Sequence, residues 1–271
     1  MSGFSSELIA RSGYEREGFA AHFDRYRPRP PAALVDSLLQ LARVERAALV
    51  VDLGAGTGLS TRAWAGRADR VVGVEPNPAM LAEAVRLTAA ENVELVGAFA
   101  QETGLPGGEA DVVTCSQSLH WMEPEPTFHE AARLLRPGGV FAAYDYDVVP
   151  VCDWEVEQAW RAVLERRREL RGEEGIPRGA DRWPKDGHLD RIRASGAFRY
   201  CRELVLQSVE EGSAERIMGF ALSLGLPVVD TEDHELDRRL GIDDLRDAAR
   251  RAFGDRTVPF RFGYRVRVGV R

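Results

Sequence analysis

Short apolar runs recur along the first half of the chain, and the segments between them carry apolar residues at helical spacing. The runs predict strands at residues 50–53, 71–74, 93–98, 111–118 and 140–146. The spacing predicts helices at about residues 31–44, 78–87 and 125–135, and one more from Leu59 onward. Strands that alternate with helices form a parallel sheet covered on both faces. We therefore predict a doubly wound α/β fold.

The second half of the chain predicts fewer and longer elements. They are a strand at 200–209, a helix at 214–224, a charged helix at 232–253 and a final strand at 259–270. In the final strand, apolar residues alternate with Arg261, Arg265 and Arg267. We therefore expect one buried face and one face that carries arginine. No linker divides the chain, which predicts a single domain over residues 1–271.

Two segments depart from this regular pattern. Residues 1–31 are polar and aromatic and predict no strong regular element. They are either a cover over a site, with Tyr26 and Arg27 as contacts, or a solvated leader. Residues 153–197 are rich in arginine and glutamate and are interrupted by glycine and proline. We predict a helical insertion or lid here, after the fifth strand, because variable loops on a rigid sheet commonly set substrate choice.

Composition narrows the range of partners. The chain has 271 residues, of which 44% are hydrophobic and 29% charged, as in ordinary globular proteins. Its formal net charge of -7 argues against a phosphate-backbone partner, so we predict no nucleic-acid partner. No stretch approaches the roughly 20 apolar residues of a membrane span, and the N-terminus lacks a basic segment followed by an apolar one. We expect a cytoplasmic monomer or homodimer with no membrane partner.

Cysteine and histidine spacing gives no sign of a metal site. Cys115, Cys152 and Cys201 are far apart and form no C-x-x-C pair, which predicts neither a disulfide framework nor a zinc site. The histidines other than His120 have no ligand-like spacing. We therefore assign no metal.

The first predicted strand breaks directly into Gly54, Gly56 and Gly58. Glycine lets the backbone approach a ligand closely, and a helix that starts at Leu59 directs free N–H groups toward it. A turn without a ligand needs one glycine and leaves the other two unexplained. We therefore predict a site for an anionic or polar ligand. The G-x-G-x-G spacing differs from the G-x-G-x-x-G of dinucleotide dehydrogenases.

Two other strand ends carry candidate site residues. Glu75 ends the second strand, close to the roughly 20-residue offset at which an acidic side chain reaches a ribose in nucleotide-binding units. The fourth strand leads to His120 and Trp121, which should project into the ligand crevice at the carboxyl ends of the strands. His120, with an unperturbed pKa of about 6.5, is a candidate base, or it only orients the substrate. For Trp121 the alternative to a substrate contact is core packing.

Four motifs follow one another: Val-Asp-Leu-Gly-Ala-Gly-Thr-Gly at 51–58, Val-Glu-Pro-Asn at 74–77, Leu-His-Trp at 119–121 and Arg-Pro-Gly-Gly at 136–139. In this order and spacing they resemble class I S-adenosylmethionine-dependent methyltransferases. The His-Trp pair and the Tyr-Arg-Pro at 26–28 resemble the small-molecule branch that includes trans-aconitate-type methyltransferases. The resemblance covers about residues 48–146 and implies a Rossmann-like seven-stranded sheet whose last strand is antiparallel. It also implies S-adenosylmethionine as the cofactor.

The resemblance assigns roles to the matching residues. The three glycines would cradle the methionine part, Asp52 would orient the loop and the ligand amine, and Glu75 would accept both ribose hydroxyls. Where the family often has an acidic residue for the adenine amine, this chain has Phe99, Ala100 and Gln101. The implied cofactor-binding residues are Arg27, Asp52, Gly54, Ala55, Gly56, Thr57, Gly58, Glu75, Pro76, Met80, Phe99, Ala100, Gln101, Ser116 and Gln117. The substrate contacts are Tyr26, Trp121 and Tyr146, and the catalytic residue is His120.

The function that these residues predict is methyl transfer to a small-molecule acceptor, either a carboxylate-bearing compound or a secondary metabolite. The reaction is an in-line displacement assisted by positioning. One alternative is a noncatalytic protein that binds S-adenosylmethionine. Another is an NAD-dependent oxidoreductase, which the glycine spacing disfavours. A nucleic-acid methyltransferase is disfavoured by the net charge and by the absence of an N-P-P-Y-type motif after the fourth strand.

Overall fold

The computed structural model describes residues 17–173, 183–224 and 234–271. Its strands are β1 (Ala47–Leu53), β2 (Ala68–Val74), β3 (Val93–Val96), β4 (Ala110–Ser116), β5 (Leu135–Tyr146), β6 (Tyr200–Gly212) and β7 (Val258–Val270). They form one sheet in the order β3-β2-β1-β4-β5-β7-β6. The strands from β1 to β5 pair in parallel, and β7 lies antiparallel between β5 and β6. The predicted seven-stranded sheet with an antiparallel last strand is confirmed.

The helices of the described residues cover both faces of the sheet. They are α1 (Phe19–Tyr26), α2 (Ala32–Ala42), α3 (Leu59–Ala63), α4 (Pro78–Leu87), α5 (Pro124–Leu134), α6 (Trp154–Glu173), α7 (His188–Ala194), α8 (Ala214–Leu222), α9 (His234–Leu240) and α10 (Ile242–Phe253). Two short 3₁₀ helices span Leu119–Trp121 and Lys185–Gly187. No helix among the described residues combines the length and the apolar character that a membrane crossing requires.

The sheet separates two hydrophobic cores. Along β5, Ala142 and Tyr144 face one core and Phe141 and Ala143 face the other, as the two-residue period of a strand requires. Both faces of the strand are therefore buried, which explains why its central part is a continuous apolar run.

The helix α4 begins as the sequence predicts. The Asn77 side chain accepts hydrogen bonds from the N–H groups of Ala79 and Met80, at 3.0 and 3.1 Å, and Pro78 occupies the first helical position. Such a cap stabilises a helix by about 1 kcal/mol. It fixes where the chain leaves the end of β2, directly beside Glu75.

Three sequence-based boundaries are wrong. Residues 19–26 form a helix where no regular element was expected. The charged helix expected at 232–253 is divided by Gly241, which has a φ of 74° and begins α10, while residues 232–233 lie outside the described part. The strand expected at 140–146 begins earlier, at Leu135, and so includes the Arg-Pro-Gly-Gly motif. Gly139 permits this because it allows the Ala110 backbone to approach closely where the strand register shifts.

The two variable segments are described in part. Of the predicted cover at 1–31, residues 1–16 lie outside the described part, and the remainder contains α1. Of the predicted insertion at 153–197, residues 174–182 lie outside it, and the remainder contains α6 and α7. The roles of both segments, and the single domain, stay predictions.

The arginine face expected on β7 is wrong at Arg267, which is 2% exposed. Its guanidinium pairs with Asp145 on β5 at 2.8 Å and with Glu203 on β6 at 2.9 Å. The reason is topological, since β7 lies between these two strands and α7 packs on the same region. Arg265, in contrast, is exposed and also pairs with Glu203, at 2.9 Å.

We expect Arg267→Ala to lower the free energy of unfolding by about 3 kcal/mol or more, because it removes a buried partner from the buried carboxylate of Asp145. Arg265→Ala, which removes an exposed pair to the same Glu203, should cost less than about 1 kcal/mol. Urea unfolding of both variants checks this. Similar losses in the two variants would contradict the buried position of Arg267.

Candidate cofactor and acceptor site

The glycine loop that follows β1 adopts a backbone that other residues resist. Gly54, Gly56 and Gly58 have φ values of 69°, 59° and 81°. A Cβ atom on Gly54 would lie 2.6 Å from the Ser118 Cβ and 2.7 Å from the Met122 Cε. The first glycine is therefore required both for its conformation and for the close approach of the segment after β4.

Asp52, at the end of β1, is fully buried and holds this loop in place. Its carboxylate accepts hydrogen bonds from Thr114 Oγ1 and Thr61 Oγ1, both at 2.7 Å, and from Ser60 Oγ at 3.4 Å. Burial raises the pKa of Asp52 to about 6, although the three hydroxyls act to lower it. Asp52 is not among the residues that line the cavity described below, and its oxygens accept these hydroxyls. The predicted roles of Asp52, to orient the loop and the ligand amine, stay predictions.

Glu75 lies at the opposite side of the loop and lines the cavity. Its two carboxylate oxygens accept the N–H groups of Gly56 and Asn77, both at 2.8 Å. Burial raises the pKa of Glu75 to about 7, against the lowering effect of these two N–H groups. The buried Asn77 Nδ2 has no hydrogen-bond partner, and Asn77 also lines the cavity. The Glu75 carboxylate can therefore offer an acceptor, and the Asn77 amide a donor, to a ligand in the cavity.

One cavity joins most of the residues that the sequence singles out. The predicted residues that line it are Arg27, Gly54, Ala55, Gly56, Glu75, Pro76, Met80, Phe99, Ala100, Gln101, Ser116, Gln117, Trp121 and Tyr146. The wall also contains residues that the sequence reasoning missed: Phe23, Pro28, Pro30, Leu59, Ser60, Asn77, Ser118, Met122 and Glu123. Phe23 and Arg27 are four residues apart, a helical spacing that could have indicated a shared face. Asp52, Thr57, Gly58, Tyr26 and His120 are not part of the wall.

His120 and Tyr26 are not among the residues that line the cavity, and the local structure explains why. His120 and Trp121 follow one another in a 3₁₀ turn, in which neighbouring side chains point about 120° apart, so that Trp121 lines the cavity while His120 is buried. On α1, Phe23 and Arg27 share the cavity side, whereas Tyr26 packs on Gly219 and donates a hydrogen bond to Glu215 at 2.8 Å. The structure does not bring His120 and Tyr26 into the wall of this cavity, and their roles stay predictions.

Arg27 brings a positive charge to the cavity, and it has no acidic partner in the part of the chain that the structure describes. It is 9% exposed, and its guanidinium donates to the Tyr146 hydroxyl at 3.0 Å and to the Ser223 carbonyl at 2.8 Å. Its Nε is buried without a hydrogen-bond partner, and no carboxylate of the described residues pairs with it. The Phe23 ring lies 4.4 Å from the guanidinium carbon. A buried cation with neutral partners favours an anionic ligand.

The residues of the cavity fit S-adenosylmethionine. The glycine loop offers backbone at a place where Cβ atoms would intrude, Glu75 offers carboxylate oxygens for hydroxyl groups, and Asn77 offers an unused donor. Met80 and Phe99 supply apolar surface for a base. The described residues contain no cluster of histidine, cysteine or acidic side chains able to hold a metal ion.

Comparisons with known proteins agree with this geometry. Residues 51–143 match the family described as a methyltransferase domain. An uncharacterized methyltransferase of Mycobacterium tuberculosis is 40% identical over 117 residues, which are 43% of this chain and 46% of that protein. A malonyl-[acyl-carrier protein] O-methyltransferase of Enterobacter lignolyticus is 33% identical over 134 residues, 48% of this chain and 51% of that protein. The chain thus spans about half the length of the curated relatives it matches.

Solved structures extend the likeness beyond the matched segment. A protein of Anaeromyxobacter dehalogenans, provisionally described as a type II methyltransferase, aligns with a TM-score of 0.62 at 27% identity, over 90% of this chain and 98% of that one. The YcgJ protein of Bacillus subtilis aligns with a TM-score of 0.53 at 18% identity, over 86% of this chain and 96% of that one. The second likeness concerns the fold alone.

We expect Glu75→Ala to weaken binding of S-adenosylhomocysteine about tenfold or more, because hydrogen bonds to a charged carboxylate are among the stronger ones. Isothermal titration calorimetry measures the affinity. Glu94→Gln, an exposed position on β3, is the matched control and should leave the affinity unchanged. Equal affinities for wild type and Glu75→Ala would overturn the assignment of Glu75.

The pKa of about 7 for Glu75 also predicts a pH dependence. Hydroxyl donors of a ligand favour the charged carboxylate and lower its pKa in the complex. Binding therefore releases a proton below about pH 7, and the affinity should rise between pH 5.5 and about 7 and then level off. Calorimetry across this range, with Glu75→Gln as the control that lacks the titrating group, measures the effect. A falling affinity over the same window would contradict the raised pKa.

Proposed function

We propose that this chain, which carries a class I S-adenosylmethionine-dependent methyltransferase domain, transfers a methyl group to a carboxylate oxygen of a small-molecule acceptor. The observation that carries the proposal is a single cavity lined by the glycine loop, Glu75 and Arg27, whose charge no carboxylate of the described residues neutralises. When bound, S-adenosylmethionine supplies an activated methyl group. The protein positions the acceptor and excludes water.

The cofactor side of the proposal relies on three groups. The glycine loop, fixed from below by Asp52, receives the methionine part, and Glu75 receives the ribose hydroxyls. Met80, Phe99, Ala100 and Gln101 surround the adenine. Ser116 and Gln117, at the end of β4, also line the cavity. Positioning of this kind can lower a barrier by several kcal/mol, roughly 7–11 in the best intramolecular cases.

The acceptor side relies on Arg27, Trp121 and Tyr146. A guanidinium binds a carboxylate by charge-assisted and frequently bidentate hydrogen bonds. Arg27 is held in the wall by the Tyr146 hydroxyl and by Ser223, which caps the C-terminus of α8, so that the negative end of this helix partly balances its charge. Trp121 supplies an aromatic wall. A small anionic molecule matches this combination of the Arg27 cation with the Trp121 and Tyr146 rings.

A carboxylate acceptor also explains why the cavity needs no base. Carboxylates have lost their proton well below neutral pH, so the attacking oxygen needs no base to activate it. This agrees with the position of His120, which does not line the cavity. The relative from Enterobacter lignolyticus is named as an O-methyltransferase for a malonyl group, which supports oxygen as the acceptor atom. The trans-aconitate-type subtype, the absence of a nucleic-acid partner and the cytoplasmic location remain predictions.

The experiment is an assay of methyl transfer from radiolabelled S-adenosylmethionine to a panel of small carboxylic acids and their amides. We expect transfer to acids and not to amides, and release of the label on ester hydrolysis. Binding of S-adenosylhomocysteine without transfer to any member would favour the noncatalytic alternative. His120→Ala should change turnover less than about threefold, since a general base contributes about 10² to 10⁴. A loss in that range would restore His120 as the base.

Arg27→Met should reduce kcat/KM for the acid about tenfold or more, because it removes a charged hydrogen-bond donor. Arg25→Met is the matched control, since Arg25 lies two residues before Arg27 at the end of α1, is exposed and pairs with Glu215. Calorimetry with S-adenosylhomocysteine identifies which carboxylate Arg27 binds. Retained affinity assigns Arg27 to the acceptor, and an equal loss of affinity assigns it to the cofactor, as the sequence predicts. Unchanged activity and affinity would remove Arg27 from the site.

A further inference from the structure

Gln117 lines the cavity in a strained backbone conformation. Its φ is 51°, a value that non-glycine residues rarely adopt. Such a conformation persists only where the surrounding structure fixes it. The Gln117 N–H donates to the Tyr144 carbonyl at 2.9 Å, and its Nε2 donates to the Tyr146 carbonyl at 3.2 Å. The third contact comes from Lys185, whose ammonium donates a short hydrogen bond to the Gln117 Oε1.

Lys185 reaches this wall from the predicted insertion. It lies in the 3₁₀ helix Lys185–Gly187, beyond the residues that match the methyltransferase domain. Its ammonium also pairs with Asp145 at 2.8 Å, and the other oxygen of Asp145 pairs with the buried Arg267. Nearby, the Trp183 N–H donates to the His120 carbonyl at 2.9 Å. The segment is therefore attached at two points to the loop that follows β4.

The chemistry of lysine fixes the direction of the Gln117 amide. An ammonium group donates hydrogen bonds and accepts none, so the oxygen of the amide must face Lys185. The amide nitrogen must then face the Tyr146 carbonyl, as observed. The Tyr146 carbonyl only accepts and so favours the same orientation, but without the ammonium the Gln117 Oε1 loses this donor. Lys185 does not line the cavity, whereas its partner Gln117 does, so Gln117 connects Lys185 to a bound molecule.

We propose that Lys185 is a positioning residue for the acceptor, which orients Gln117 and thereby sets the cavity wall that Gln117 forms with Tyr146. The proposal rests on the proposed function, because it concerns where the acceptor binds. It predicts an effect on acceptor binding that is separate from cofactor binding, since the glycine loop and Glu75 contact other groups. A merely structural ion pair would instead affect stability, and Asp145 retains Arg267 when Lys185 is lost.

The test compares Lys185→Met and Lys185→Arg with Arg193→Met, which removes an exposed cation from α7. We expect Lys185→Met to raise KM for the acid identified above about tenfold, as loss of a charged hydrogen bond does, with a smaller change in kcat. The dissociation constant of S-adenosylhomocysteine should stay within twofold, as should every parameter of Arg193→Met. Lys185→Arg should raise KM less than Lys185→Met does, because it keeps a cation at this position. Thermal unfolding of each variant shows whether it is folded.

A crystal structure of Lys185→Met provides a readout that does not need an acceptor. We expect Gln117 to leave its positive φ or to rotate its amide. An unchanged Gln117 together with an unchanged KM would overturn the positioning role, as would a loss of S-adenosylhomocysteine affinity equal to the rise in KM. If wild type transfers no methyl group to any acid, the proposed function fails. The position of Gln117 in the variant structure then decides the role of Lys185 alone, with an unchanged Gln117 overturning it.

Discussion

The buried carboxylate of Asp52 is the constraint on which the cofactor side of this protein depends. A carboxylate without water requires hydrogen-bond donors, and the donors here are hydroxyls from α3 and β4. The raised pKa of about 6 shows that these donors offset the cost of burial only in part. Because the donors must stay close to Asp52, α3 cannot move independently of β1 and β4. The glycine loop between β1 and α3 is thereby held in one conformation before any ligand binds.

The two acidic residues at the ends of the neighbouring strands β1 and β2 have different surroundings. Asp52 faces inward and is satisfied by side chains, whereas Glu75 faces the cavity and is satisfied by backbone N–H groups. An ionised carboxylate has about four acceptor positions, and two N–H groups leave room for hydroxyl donors. The bond from Gly56 to Glu75 also ties the loop to the end of β2. A ligand at Glu75 therefore meets a loop already fixed from both sides.

The sequence predicts the parts of the fold that depend on local chemistry. Asn77 and Pro78 specify a helix start by themselves, and the alternation of the last strand is visible without any partner. The sequence does not predict the burial or orientation of a side chain whose contacts lie far away along the chain. Arg267 is buried because Asp145 and Glu203 flank it, and these residues lie 122 and 64 positions away. As neighbours in sequence, His120 and Trp121 are equally good candidates for the site. The 3₁₀ turn brings Trp121 into the cavity wall and leaves His120 out of it.

Arg27 and Lys185, the two cations of the proposed acceptor side, differ in their ion-pair partners, which explains the separate roles proposed for them. Lys185 is neutralised by Asp145 and already makes a hydrogen bond to Gln117, so a ligand gains little from it. Arg27 has neutral partners and a charge that is only partly balanced by the end of α8, so an anion gains most there. Both lie outside the segment that matches the methyltransferase domain, whereas Gln117 lies inside it. Changes near Arg27 or in the insertion can therefore reshape the proposed acceptor wall while the glycine loop, Asp52 and Glu75 keep the proposed cofactor site unchanged.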